Sequence, residues 1–183
     1  MREGKRFVME TQLQPSSQAS PGDENALPGN SAGNARAGRL WRRMLTLTAR
    51  SLPAYLHRAR PWVPGRFADL WEAMQEIAEE HREFAAKAAE HIVRSGEVPD
   101  PGNYPDVYTA WHDLSLDFLA DKMIRELRNG AAELESAADP RLAPAAAKSA
   151  ESLRRLFLDE AERLQSLLDD LRKESPAAPS DAA

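Results

Sequence analysis

Apolar residues recur at intervals of three and four along most of the chain, and nowhere do they alternate in the way a strand requires. Four stretches carry this pattern. The first, from about Arg39 to Arg60, places Leu40, Trp41, Met44, Leu45, Thr48, Leu52, Tyr55 and Leu56 on one face. Pro53 lies inside it and lacks the backbone donor a helix interior needs, which predicts a kink or break there. The second, Phe67 to Ser95, is the most regular, with Phe67, Leu70, Met74, Ile77, His81, Phe84, Ala88 and His91 in strict 3-4 spacing. Gly96 follows it, the residue type that closes helices. The third runs from about Val107 to Ala138 on Leu116, Leu119, Met123, Leu127, Ala131 and Leu134. The fourth, Pro144 to Glu174, opens on a proline at the helical position where the missing donor costs nothing, and carries Leu153, Leu156, Phe157, Glu160, Leu164, Leu167 and Leu171.

The connections between these stretches set the topology. A short corner, Pro61 to Gly65, makes the first two helices antiparallel neighbours, and another, Asp139 to Ala143, does the same for the last two. Between the pairs lies EVPDPGNYPD, rich in proline and without helical pattern. The reading is an all-α four-helix bundle of two hairpins joined by a long crossover between helices 2 and 3; an up-down bundle is the alternative. Residues 1–35, dominated by Gln, Ser, Pro, Gly and Asn, read as a disordered N-terminal tail, 36–174 as the bundle, and 175–183 (SPAAPSDAA) as a disordered C-terminal tail.

The segments SLPAYL and PGNYPDVYTAWHDLSLDFL, with a glutamate inside the fourth helix, resemble bacterial members of the ferritin-like superfamily over residues 38–173. That resemblance implies a mid-bundle di-iron site, for which two helices each supply a Glu and the other two each supply Glu-x-x-His. The helix midpoints here fall near Thr48, His81, Met123 and Glu160. Helix two offers His81-x-x-Phe84, and helix four offers Glu160-x-x-Arg163 with a cation in the histidine's place; Glu126 stands off the stripe of helix three. The expectation is a degenerate site with no metal and no cofactor, in which His81, Glu160 and Arg163 form an internal polar cluster and Glu160 pairs with Arg163.

Composition narrows the function further. With no cysteine the chain has no disulfide, thiolate site or thiol nucleophile. No phosphate-binding glycine loop, zinc spacing or legible Ser-His-Asp grouping points to an enzyme. No apolar run nears the roughly 18 residues of a membrane span, and the opening MREGKRFVMETQ lacks a signal-peptide core, so a cytoplasmic protein with no membrane partner is expected.

Charge is distributed unevenly. Residues 36–66 carry Arg36, Arg39, Arg42, Arg43, Arg50, Arg58, Arg60 and Arg66 and no acid, whereas residues 67–183 hold 13 basic and 25 acidic residues. Arg39, Arg42 and Arg43 form a basic surface on helix one, and the acidic remainder makes nucleic acid an unfavourable partner. The expected partner of this surface is the protein's own negative charge, within one chain or across a homodimer. Tyr104, Tyr108 and Trp111 are expected to staple the crossover to the bundle. The functional reading is a non-catalytic bundle acting as a scaffold or interaction protein. Its rivals are an atypical iron-binding or oxidoreductase protein and a module that meets an anionic partner through helix one.

Overall fold

The computed structural model describes residues 28–111, 113–139 and 142–174. Five α-helices, and no strand among the described residues, build a four-membered bundle whose first member is broken in two: α1 (Pro28–Ala49), α2 (Leu52–Ala59), α3 (Ala68–Arg94), α4 (Leu116–Ser136) and α5 (Pro144–Glu174). None of these helices is long and apolar enough to cross a membrane.

The expected break falls at Arg50–Ser51. Ser51 adopts extended backbone and caps α2 by accepting a hydrogen bond from Ala54 N, and Pro53 sits in the first turn of α2, where its ring is tolerated. Arg60, at φ 49°, then closes α2 in the left-handed region. Gly96, at φ 81°, ends α3 as its residue type foretold.

Two boundaries differ from the sequence reading. α1 begins at Pro28, so residues 28–35, assigned to the tail, are helical; PGNSAGNA has too few apolar residues to announce itself by periodicity. The rest of the expected N-terminal tail, and residues 175–183, lie outside the described residues. The third helix starts at Leu116 rather than near Val107, because Asp106–Ala110 forms a 3-10 turn and Ser115 is extended.

Contacts along the helices fix their directions. Trp41 stacks on His91 at a centroid distance of 4.0 Å and His57 bonds Gln75, so α1–α2 runs antiparallel to α3. Arg36 reaches Asp139 and Arg43 reaches Glu133, so α1 is antiparallel to α4 as well. Consequently α3 and α4 start at the same end, and the segment between them must travel back along the bundle. It does so over α1 and α2: Arg50 Nε donates to Gly102 O at 2.6 Å, and Tyr55 packs edge-on against Tyr104 and against Tyr108. Tyr108 is buried, its hydroxyl donating to Glu126 Oε2 at 2.7 Å, with Trp111 against its ring. The aromatic group thus holds the crossover down as expected, and Glu126, off the apolar stripe, serves as its anchor.

The core runs the length of the bundle through Leu40, Met44, Leu52, Leu56, Leu70, Met74, Ile77, Met123, Leu127, Phe157 and Leu164. At its centre α4 presents Gly130. A Cβ there would lie 2.8 Å from the ring of Phe157, so the absent side chain lets α5 seat that ring against the α4 backbone. Phe157 in turn covers His81, their ring centroids 5.1 Å apart.

Candidate functional site

The four midpoint positions Thr48, His81, Met123 and Glu160 are all buried at the centre of the bundle. Thr48 Oγ1 donates back to Met44 O at 2.8 Å, as a helix-interior threonine does when it has no cross-helix partner. Met123 contributes only apolar packing. The chemistry therefore rests on His81 from α3, Glu160 from α5 and, unforeseen in the sequence, Ser51 from the α1–α2 break. The three form a chain of hydrogen bonds: Ser51 Oγ to His81 Nδ1 at 2.8 Å, and His81 Nε2 to Glu160 Oε2 at 2.9 Å.

A hydroxyl has one hydrogen, and Ser51 directs its own to Thr48 O at 2.9 Å. Its oxygen therefore accepts from Nδ1–H of His81, which leaves Nε2 facing Glu160 Oε2 with a single proton to share. Burial pushes the Glu160 carboxyl above the ordinary glutamate range, the bond from His81 pulls it down, and the nearby Glu80 raises it again. Glu160 Oε1 is buried with no hydrogen-bonding partner, a position a bare carboxylate oxygen holds only at a cost. Both observations favour a proton held within the pair over two separated charges.

Arg163 corrects the sequence reading. It does not enter the cluster: its guanidinium bonds Glu76 on α3, with about half of each side chain exposed. Position 163 lies at the margin of the stripe marked by Phe157, Glu160 and Leu164, and a long arginine stem there carries its charge outward to water. The pairing expected for Glu160 is made by His81 instead.

The basic surface is largely matched from within the chain. Arg42 bonds Glu97 just beyond α3, Arg43 makes a two-pronged bond to Glu133 on α4, and Arg36 pairs with Asp139; Arg39 is exposed. Of the remaining histidines, His91 stacks on Trp41, His57 is exposed, and His112 lies outside the described residues.

A di-iron centre needs several carboxylates and two imidazoles converging on one volume. Here one imidazole and one carboxylate converge, and they are bonded to each other, with the second ring nitrogen committed to Ser51. Among the described residues no group of three or more His, Asp or Glu is placed to hold a metal ion. This donor set does not fit the group that the resemblance implies.

Ser51 was the residue sequence reasoning missed. The signal was present, since a serine just ahead of a proline at the start of a short helix is a capping pattern. No protein-family model, no curated protein and no solved structure matches the chain.

Proposed function

We propose that the chain is a ferritin-like four-helix bundle in which a hydrogen-bonded Ser51–His81–Glu160 chain stands where a di-iron site would lie, and that it works as a scaffold or interaction protein rather than as an oxidoreductase. One observation carries the reading: the His81–Glu160 bond of 2.9 Å, made between side chains 1% and 3% exposed, uses the lone pairs a metal would need. The crossover that lets α3 and α4 start together supports the ferritin-like arrangement. The pairing of Arg36, Arg42 and Arg43 with the chain's own acids supports a basic arm that meets internal charge. A cytoplasmic location belongs to the same proposal.

Loading with Fe(II) or Mn(II) under anaerobic conditions, followed by desalting and elemental analysis, tests it. The result expected is well below one metal per chain and no metal-dependent oxygen consumption. About two metals per chain, lost in Glu160→Gln, would restore the family's site and overturn the proposal.

A further inference from the structure

Against the polar chain, with Ser51 and His81 in its lining, lies a cavity of about 260 Å³ walled by α1, the α1–α2 break, the crossover, α3, α4 and α5. Its volume corresponds to on the order of nine water molecules. Leu47, Met123, Leu127 and Phe157 supply the apolar part of its lining, and Ser51, His81 and Glu126 the polar part.

The rim has a different character, and Arg50 sets it. The guanidinium is held in place from three sides: Nε donates to Gly102 O at 2.6 Å, Nη1 donates to Ala49 O at 3.1 Å, and the group lies over the Tyr104 ring at 4.9 Å from its centroid. Each of these partners orients the arginine and none of them neutralises it. The neighbouring Arg43 is matched by Glu133, whereas among the described residues no carboxylate is in ion-pair contact with Arg50. A fixed cation with N–H groups to spare and no ion-pair partner among the described residues, bordering a cavity, is a preorganised anion receptor.

Glu126 also lines the cavity and accepts from the Tyr108 hydroxyl; burial pushes its carboxyl above the ordinary glutamate range, against the pull of that bond. Its presence, with Glu133 nearby, does argue against a ligand of high negative charge.

We infer that this cavity binds a small organic carboxylate, the anionic head on Arg50 and the apolar body against Met123, Leu127 and Phe157. A monoanion satisfies the one cation of the lining that has no ion-pair partner among the described residues, and an apolar body packs on Leu47, Met123, Leu127 and Phe157. An amine would meet Arg50 as a like charge. The inference rests on Arg50 and the cavity, and stands whether or not the bundle binds metal.

The test is a titration of the full chain with benzoate and with hexanoate, read by amide chemical shifts and by melting temperature at fixed ionic strength. Benzyl alcohol, hexylamine and inorganic phosphate serve as comparators. At least one carboxylate is expected to give saturable shifts centred on residues 46–51 and 123–130 and to raise the melting temperature, with the three comparators at least about tenfold weaker. Arg50→Gln is expected to weaken the carboxylate by a similar factor. Thr46→Phe, which fills the cavity from α1 and leaves Arg50 in place, is expected to abolish saturable binding. No saturable shift with either carboxylate would overturn the inference, as would alcohol binding as tightly as acid. Unchanged affinity in Thr46→Phe would place the anion outside the cavity and overturn it too. The comparator arms use the unaltered protein, so they decide the matter even if Arg50→Gln loosens the crossover.

Discussion

Among the described residues two acid–base pairs join α3 to α5, and they differ in almost every respect that matters. His81 and Glu160 meet at 2.9 Å with 1% and 3% of their side chains exposed. Roughly a turn away on each helix, Glu76 and Arg163 meet with 49% and 45% exposed. The outer pair is solvated before and after it forms, so its net worth is small. The inner pair is buried: His81 Nε2 and Glu160 Oε2 satisfy each other, and removing one leaves the other stranded. Position on the helix, rather than residue chemistry, separates a pair that specifies the bundle's centre from one that decorates its edge.

The comparison can be broken most sharply at its inner member. His81→Leu should lower stability by about 3 kcal/mol, because Glu160 then keeps a buried carboxyl with no donor. The double change to Leu at both positions should cost markedly less than the sum of the two single changes. A thermodynamic cycle by denaturant unfolding measures this coupling, and additivity would mean the two side chains act independently.

Next in size is Gly130→Ala, which would ordinarily gain about 1 kcal/mol of helix propensity. Here the new methyl meets Phe157 at 2.8 Å, so a net loss of about 1–2 kcal/mol is expected from overpacking. Calorimetry gives the sign directly. Tyr108→Phe should cost about 1 kcal/mol through the lost bond to Glu126 and should loosen the crossover, visible as faster amide exchange at residues 104–111.

The pH dependence follows from Glu160. Its carboxyl is raised in the folded chain, chiefly by burial, so the folded state holds this proton to higher pH than the unfolded chain does. The group therefore favours folding most below the ordinary glutamate range, and that contribution is lost as pH rises from there through the raised value. Glu126 acts in the same sense. Unfolding of Glu160→Gln across this window should show a shallower decline than the parent, the remainder belonging to Glu126. The smallest effect is expected at the outer pair: Arg163→Leu should change stability by less than about 1 kcal/mol and should respond to salt.

Periodicity carried the sequence reading wherever packing dictates residue type. The boundaries of α5, the break near Pro53, the stop at Gly96 and the burial of Thr48, His81, Met123 and Glu160 at mid-bundle were all legible, because each follows from apolar spacing or from proline and glycine geometry. Residues 28–35 were not, because PGNSAGNA has too few apolar residues to display a stripe. The late start of α4 was hidden for the opposite reason: Tyr108 and Trp111 are apolar enough to extend a helical pattern, yet they are spent on anchoring the crossover. Arg163 shows the limit of arguing from spacing alone. A four-bond stem lets a residue leave the face its Cα sits on, so helical position places a glutamate more reliably than an arginine. Ser51 was legible as a cap, but its bond to His81 and the Arg50 cavity depend on where a helix breaks and which loop crosses it, relations that exist only in three dimensions.

The central claim is that the bundle's centre is closed by a bonded imidazole–carboxyl pair rather than open to metal. Side-chain nitrogen NMR of His81, recorded before and after an equimolar addition of Mn(II), tests it most directly. The account predicts a persistent Nδ1–H correlation, an Nε2 resonance that moves in Glu160→Gln, and no broadening of either nitrogen by the paramagnetic ion. Selective loss of the His81 signals on adding Mn(II), restored by a chelator, would contradict it.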